Sequence, residues 1–186
     1  MAVSTYTLET FIADVGGIVR AEQDPEVLTA RVGRLLARLS LNPDALASEF
    51  RRRPADGRRG RYMLYRAPGF NVVSVVWGPG DTAGAHNHET WGVIGVLENE
   101  IQETRYRVSD AGPGRATLEV KDVFRHRPGA ISRLVPGDEV HAMHNPTDRD
   151  TVEIHVYGKD LASLRRRTWD ADGRERPLVS PKYLNC

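Results

Sequence analysis

The sequence contains little cysteine, no long apolar run and no excess of charge of one sign. Its only cysteine is Cys186, so the chain cannot form an internal disulfide. No apolar run approaches the ~20 residues of a membrane-spanning helix, and the start of the sequence has no basic segment followed by an apolar stretch. We therefore expect no membrane partner and a cytoplasmic location.

The charges almost cancel, which argues against a nucleic-acid partner. The chain has 26 Lys and Arg against 25 Asp and Glu, a formal net charge of +1, so no overall field attracts polyanions. Arginines do cluster in short runs at 51–53, 58–59 and 165–167. These runs lack the interleaved aromatic side chains or the recognisable module of a nucleic-acid-binding protein. They are typical of solvated surface, and we expect no nucleic-acid partner.

The first fifty residues have the apolar spacing of helices. Two stretches repeat apolar residues every three or four positions, which predicts two amphipathic helices. The first stretch contains Leu8, Phe11, Ile12, Val15, Ile18 and Val19, and the second contains Leu28, Val32, Leu35, Leu36 and Leu39. Asn42-Pro43-Asp44 then supplies the cap, the first-turn proline and the acidic residue of a third, short helix that leads into Leu46 and Phe50.

The rest of the sequence has the pattern of a β domain. Pro54 to Gly57 breaks the helical signal, so we predict a helical extension at 1–57 and a β-barrel at 58–186 within one domain of 1–186. Short β-rich runs bounded by turn residues follow. The predicted strands are 61–66, 70–78, 91–98, 101–108, 115–124, 130–135 and 151–158. About seven strands fit a sandwich or a barrel, with the helices packed on it.

Two histidine motifs predict a metal site. In Gly80-x5-His86-x-His88 the two histidines are two positions apart, and such residues point the same way on a strand. Pro136-Gly137-x3-His141-x3-Asn145 supplies a third histidine. The pair alone is undemanding, since solvated histidines fall this close by chance, but both motifs together favour metal over that alternative. His144 competes with His141 if the strand register slips, and the Pro-Gly-x3-His spacing favours His141.

The two motifs resemble the bipartite signature of the cupin superfamily, small double-stranded barrels that hold a metal among inward-facing ligands. The resemblance implies a mainly β fold, a cupin double-stranded β-helix or jelly-roll barrel with an N-terminal helical extension. His126 lies beside a turn signal at Pro128 and is predicted to be a surface residue.

A narrower resemblance covers roughly residues 60–167. The stretch from Phe70 to Gly80, the two histidine motifs and Ile154-His-Val-Tyr-Gly158 resemble the thiol dioxygenases of the cysteine dioxygenase family. The resemblance implies that His86, His88 and His141 bind Fe(II), and that both atoms of O2 are added to a small thiol to give a sulfinate. The stretch from His88 to Gly95 is similar to the bacterial 3-mercaptopropionate dioxygenase branch.

The residues around the histidines favour three imidazoles over a mixed ligand set. General cupins often carry a carboxylate four or five residues after the second histidine, and here positions 90–93 are Thr, Trp, Gly and Val. Glu89 is adjacent to His88 and would face the other way on a strand. We therefore predict a site of neutral imidazoles, open to an anionic ligand such as a thiolate.

Supporting residues are predicted next to the site. Tyr157 and His155 share a strand face, and the resemblance implies that they bond to each other and to substrate or oxygen species; the alternative is a buried pair that only satisfies the core. Glu153 shares that face, and we expect it to orient His155. Trp91 is predicted to help keep the site dry. Animal-type members of the resembled family cross-link this tyrosine to a cysteine near the second histidine, and here that neighbourhood is Gly92-Val93, so we expect no cross-link to Tyr157.

Two arginines are candidates for substrate binding. Arg61 aligns with the carboxylate-clamping arginine of cysteine dioxygenases, and Arg166, nine residues after Tyr157, with that of the mercaptopropionate enzymes. A guanidinium can hold a carboxylate by two parallel hydrogen bonds. The partners implied are a small thiol carboxylate and O2, with cysteine, 3-mercaptopropionate and mercaptosuccinate all open. The alternatives are another metal-dependent cupin enzyme, such as a zinc or manganese enzyme acting on a sugar or keto acid, and a non-catalytic cupin that binds a small acid. The sequence does not predict the oligomeric state.

Overall fold

The computed structural model describes residues 6–186 of the chain, so the first five residues of the predicted extension lie outside the described residues. Two helices come first, α1 at Leu8–Ala21 and α2 at Pro25–Ser40, where the apolar spacing predicts them. The Asp24 carboxylate caps α2 by accepting hydrogen bonds from the N–H groups of Glu26 and Val27. No helix in the described part of the chain is long and apolar enough to cross a membrane.

The third predicted helix is wrong. The Asn42 side chain accepts a hydrogen bond from the N–H of Asp44 at 3.0 Å, and the Asn42 carbonyl accepts one from the N–H of Ala45 at 3.1 Å. The asparagine therefore closes a tight turn, which competes with a helix for the same backbone groups. Only a single 3-10 turn follows, at Ser48–Arg51.

Eleven strands form two antiparallel sheets in the described residues. They are β1 Gly60–Ala67, β2 Phe70–Trp77, β3 Thr82–His86, β4 Gly92–Glu98, β5 Ile101–Asp110, β6 Ala116–His126, β7 Ile131–Leu134, β8 His141–His144, β9 Thr151–Tyr157, β10 Arg166–Trp169 and β11 Glu175–Leu178. The five-stranded sheet has the order β1-β2-β9-β4-β7, and the six-stranded sheet has the order β11-β10-β3-β8-β5-β6. This arrangement is the predicted cupin double-stranded β-helix. The seven predicted strands all exist, and β3, β8, β10 and β11 were not predicted as strands.

The five-stranded sheet is buried on both faces, and β2 shows why. Its alternate residues Val72 and Val76 belong to the apolar cluster that includes both helices, whereas Val73, Val75 and Trp77 belong to a second cluster between the sheets. Every residue of β2 is therefore buried.

Helix α2 approaches this sheet closely at Gly95 of β4. A Cβ atom at that position would lie 2.8 Å from Leu36 Cγ and 2.7 Å from Ser40 Oγ. The missing side chain lets the helix pack onto the outer face of the sheet and leaves the inner face for the site.

Candidate active site

Three histidines meet between paired strands of the six-stranded sheet. His86 ends β3 and pairs in register with His141 at the start of β8. His88 lies two residues beyond the end of β3, so its ring turns toward the pair from a loop rather than from a strand. The ring centroids are 4.9 to 5.0 Å apart, and one ligand nitrogen of each ring lies within 4.8 Å of the others. The structure thus brings together the three predicted metal ligands, and His144 is not part of the group.

The three rings differ in their contacts at the Nδ1 atom. His86 Nδ1 is 2.8 Å from the carbonyl oxygen of Gly84, and His141 Nδ1 is 2.6 Å from a carboxylate oxygen of Glu103. Because Nδ1 of each donates to an oxygen, Nε2 of each keeps a lone pair for a metal. His88 Nδ1 is buried and has no hydrogen-bond partner among the described residues.

Burial keeps two of these rings neutral. It is the largest cause that lowers the pKa of His86 and His88 well below the ordinary value, and the positive potential of the neighbouring histidines adds to it. A neutral imidazole is the form that binds a metal. The donor set therefore fits a divalent ion held by three nitrogens.

Glu103 of β5 is the main residue that sequence reasoning missed. Its carboxylate is 1% exposed and accepts hydrogen bonds from His141 at 2.6 Å, His126 at 2.7 Å and Ser132 at 2.8 Å, with Arg105 Nε at 3.3 Å. Burial opposes its charge, but the bonds from His126 and His141 hold the pKa of Glu103 below its usual range. The carboxylate therefore stays ionised and fixes the His141 ring.

This contact corrects the prediction that His126 is a surface residue, because its side chain is 13% exposed and tied to Glu103. Glu103 occupies an inward position of β5, where it and Ile101 alternate with less buried neighbours.

A second carboxylate holds the loop that carries His88. One oxygen of Glu139 accepts the N–H groups of His88 at 3.1 Å and Glu89 at 3.0 Å. Glu89 itself has a left-handed backbone, φ 56°, and its carboxylate binds the side chain of Asn87 at 2.6 Å. Its side chain thus points away from the histidines, as expected, although from a loop rather than from a strand.

The histidines line a cavity of about 400 Å³ between the sheets. Five of its lining residues are arginine or lysine (Arg58, Arg59, Arg61, Arg166 and Lys182), and no acidic residue is among the described lining residues. The charged and polar groups of the lining are Arg58, Arg59, Arg61, Thr82, His86, His88, His141, His155, Tyr157, Arg166, Thr168, Ser180 and Lys182. Such a cavity favours an anionic ligand.

Both predicted substrate arginines line this cavity. Arg166 is 5% exposed, and its guanidinium donates to the Asn87 carbonyl at 2.9 Å and to Ser180 Oγ at 2.5 Å. Its Nε is buried without a partner in the described chain, and burial lowers the pKa of Arg166. Arg61 donates to the Pro181 carbonyl and lies over the Tyr183 ring at 4.9 Å.

The runs at 58–59 and 165–167 are not solvated surface throughout, although this composition is typical of surface. Arg166 is buried, because β10 turns it inward while Arg167 pairs with Glu89 outside. Arg59 also lines the cavity, with its guanidinium 3.6 Å from the centre of the Trp77 ring. Local composition cannot separate these residues from their exposed neighbours.

Tyr157, His155 and Glu153 form a hydrogen-bonded chain on the inner face of β9. His155 Nδ1 lies 2.6 Å from the Tyr157 hydroxyl, and His155 Nε2 lies 3.0 Å from Glu153 Oε2. The same carboxylate oxygen accepts the Trp77 indole N–H at 2.6 Å. The Tyr157 ring stacks on His88, with centroids 5.6 Å apart, and burial raises its pKa.

The surroundings of Tyr157 explain the glycine at position 92. A Cβ atom on Gly92 would lie 2.7 Å from the Tyr157 ring, so the ring occupies the space of a side chain. Cys186 is exposed and lies 4.0 Å from an Arg66 nitrogen. The absence of a cross-link stays a prediction.

The predicted role of Trp91 at the metal site does not match its position. Trp91 packs against the helix-facing apolar cluster and the backbone of Gly158, and it is not among the cavity-lining residues. The reason is register: Trp91 precedes β4 and turns to the outer face.

Comparisons with known proteins identify the family of this chain. The chain matches the family described as cysteine dioxygenase type I over residues 34–168. It is similar to an uncharacterized conserved protein with a double-stranded β-helix domain from Klebsiella pneumoniae subsp. pneumoniae MGH 78578, with 18% identity, 62% of this chain and 84% of that chain covered, and a TM-score of 0.47. It is also similar to an RmlC-like cupin protein from Desulfovibrio desulfuricans, with 22% identity and a TM-score of 0.40. That match covers 57% of this chain and 89% of the other chain. Because the family match spans well over half of its length, this chain belongs to the cysteine dioxygenase type I family.

Proposed function

We propose that this chain is a non-haem Fe(II) thiol dioxygenase that converts a small thiol carboxylate and O2 into the corresponding sulfinate. The observation that carries the proposal is the convergence of His86, His88 and His141 in one cavity with Arg61 and Arg166. Membership of the family supports dioxygenase chemistry in general. The metal, the substrate class and the residue roles are the proposed parts.

The three histidines would hold the iron as neutral nitrogen donors. When bound, Fe(II) would supply the activation of O2 and keep the substrate sulfur as a thiolate. Two of the rings are already oriented by bonds at Nδ1, from His86 to Gly84 and from His141 to Glu103. That orientation reduces the rearrangement that metal binding requires.

Arg166 and Arg61 would hold the substrate carboxylate. The Arg166 guanidinium is fixed by Asn87 and Ser180 and still has a buried, unpaired Nε–H within the described structure. A carboxylate in the cavity would satisfy that group and fix the position of the attached thiol.

The chain of bonds on β9 would orient the Tyr157 hydroxyl. If His155 donates from Nε2 to Glu153, then its Nδ1 accepts the proton of the Tyr157 hydroxyl. Burial favours the protonated phenol by raising the pKa of Tyr157. The phenol oxygen would then present its lone pairs to the cavity, where it would accept a hydrogen bond from a donor such as the ammonium group of cysteine.

The test is O2 uptake by the full chain after anaerobic loading with Fe(II). Cysteine, 3-mercaptopropionate and mercaptosuccinate are compared with cysteamine, which has a thiol but no carboxylate. We expect one O2 consumed per thiol, formation of a sulfinate, and weak or no uptake with cysteamine. The absence of uptake with every thiol, despite bound iron, would overturn the proposal in favour of another metal-dependent cupin activity or a small-acid-binding cupin.

A further inference from the structure

The cavity holds more positive charge than a ligand with one carboxylate needs. Three guanidinium groups line it, from Arg59, Arg61 and Arg166, together with the more exposed Arg58 and Lys182. No acidic residue is among the described lining residues. A divalent ion and a thiolate together would leave the cavity more positive still. Uncompensated charges in a confined site are costly, so the natural ligand should bring several negative charges.

Arg59 is built into a fixed position. Its Nη2 donates to the Thr82 carbonyl at 2.9 Å, and its guanidinium lies on the Trp77 ring at 3.6 Å. Its nearest carboxylate, Asp81, is 3.8 Å from Nε, beyond hydrogen-bond distance, and that buried Nε has no hydrogen-bond partner among the described residues. A planar guanidinium held on an indole keeps its remaining N–H groups available in a defined plane.

Arg59 is anchored to a different part of the chain from the other two arginines. Arg166 and Arg61 are tied to Ser180 and Pro181 of the C-terminal segment, whereas Arg59 is tied to the start of β3. His86, His88 and His141 line the same cavity as these arginines.

We propose that Arg59, stacked on Trp77, forms a second anion subsite, so that the preferred substrate is a small thiol with two carboxylates. The inference rests on the proposed function, because the sulfur is assigned to the histidine cluster. One carboxylate binds Arg166 and Arg61, and the other binds Arg59. Arg59 is thus a residue that determines specificity between dicarboxylate and monocarboxylate thiols.

The first experiment compares mercaptosuccinate with 3-mercaptopropionate as substrates of the Fe(II)-loaded chain. We expect a lower KM for mercaptosuccinate in the native protein. Arg59→Gln should raise that KM tenfold or more and change the KM for 3-mercaptopropionate by less than about twofold, since only the dicarboxylate uses the subsite. Arg59→Lys, which keeps the charge but not the planar group, should give an intermediate KM. Arg107→Gln is the control, because Arg107 is 70% exposed and paired with Glu119 outside the cavity.

Equal increases of KM for both thiols in Arg59→Gln would overturn the subsite, as would a native protein that does not prefer mercaptosuccinate. If Arg59→Gln does not fold, as judged by its melting temperature, the native preference and Arg59→Lys decide the matter.

A binding experiment separates this inference from the proposed function. Calorimetry measures succinate and propionate, which have no thiol, against the native protein and Arg59→Lys. Tighter binding of succinate that weakens in Arg59→Lys supports the subsite even if no thiol is oxygenated, in which case only the proposed reaction fails. Oxygenation of thiols without any Arg59-dependent preference for succinate would leave the reaction standing and overturn the subsite.

Discussion

The two sheets contribute different parts of the site, and each part rests on a different buried carboxylate. The six-stranded sheet carries the histidine cluster, with Glu103 behind His141; the five-stranded sheet carries Tyr157 and His155, with Glu153 behind them. Glu103 is surrounded by donors on both of its oxygens. Glu153 Oε2 accepts two bonds, but Oε1 is buried without a partner in the described chain.

This difference indicates two kinds of support. A fully paired carboxylate fixes its partners, whereas a carboxylate with a free oxygen can change its bonding at lower cost. We therefore expect changes on the Glu103 side to act on metal binding, and changes on the Glu153 side to act on turnover with the metal retained.

The largest effect should come from removing a ligand of the six-stranded sheet. His141→Ala should lower the iron content to near background and reduce O2 uptake by at least ~100-fold, because the site loses one of three donors. Metal analysis and oxygen-electrode assays check this. His144→Ala is the matched control on the same strand, since His144 is outside the cluster. Retained iron in His141→Ala would contradict the assignment.

Glu103→Gln tests the support behind His141. The amide keeps the shape but removes the charge that holds the imidazole, so the affinity for Fe(II) should fall by about 10- to 100-fold. Competition with a chelator measures it independently of turnover. Glu119→Gln, an exposed change on β6, should leave the affinity unchanged. An unaltered affinity in Glu103→Gln would remove the distinction between the two carboxylates.

The two candidate substrate arginines lie on different sheets, Arg166 on the six-stranded sheet and Arg61 on the five-stranded sheet. Replacing either by Ala should raise KM or lower kcat by tenfold or more, about 1.5–3 kcal/mol in transition-state stabilisation. We expect the larger loss for Arg166, which is more buried. Steady-state kinetics with a monocarboxylate thiol decide this, and unchanged kinetics for either variant would exclude that residue from substrate binding.

Glu153→Gln should affect turnover alone. We expect kcat to fall by about tenfold, since His155 loses the charge that selects its tautomer, while the iron content stays the same. The pH profile of kcat should shift in the same variant. A loss of iron instead would show that the two sides of the site are not separable.

The smallest expected effect is the change with pH in the free energy of unfolding of the metal-free protein. The pKa values of His86 and His88 are lowered in the folded state, so below pH 6.5 the unfolded chain takes up protons that the folded chain does not. Stability is therefore full above that pH and falls as the pH decreases, by about 1–3 kcal/mol at pH 5.5. Urea unfolding in the presence of a chelator measures the trend. A stability that is constant from pH 7.5 to 5.5 would contradict it.

The sequence predicts the fold better than the support of the site. The helices of the extension and the long strands have strong periodic signals, and the histidine motifs fall where the structure brings three rings together. The strands β3, β8, β10 and β11 are four or five residues long. Such short, polar strands have no periodicity to detect, because partners distant in the sequence make them extended.

The roles of Glu103 and Arg59 also depend on partners that are distant in sequence. Glu103 contacts His141 across the paired strands β5 and β8, and the Arg59 guanidinium lies on the ring of Trp77, the last residue of β2. Neither residue differs locally from an ordinary strand glutamate or a surface arginine. The asparagine turn at Asn42 shows the opposite case, in which a clear local cap signal belongs to a turn rather than to a helix.

Gly92 has a consequence for how this site can vary. The Tyr157 ring fills the space where any other residue at position 92 would place its Cβ atom, and on its other side it lies on His88. A substitution on β4 would therefore push the phenol toward the ring of a candidate metal ligand, although position 92 itself carries no reactive group. A change at Gly92 is thus coupled to the geometry of the reactive centre, and β4 should tolerate mutation poorly at this glycine even though it has no side chain to take part in the chemistry.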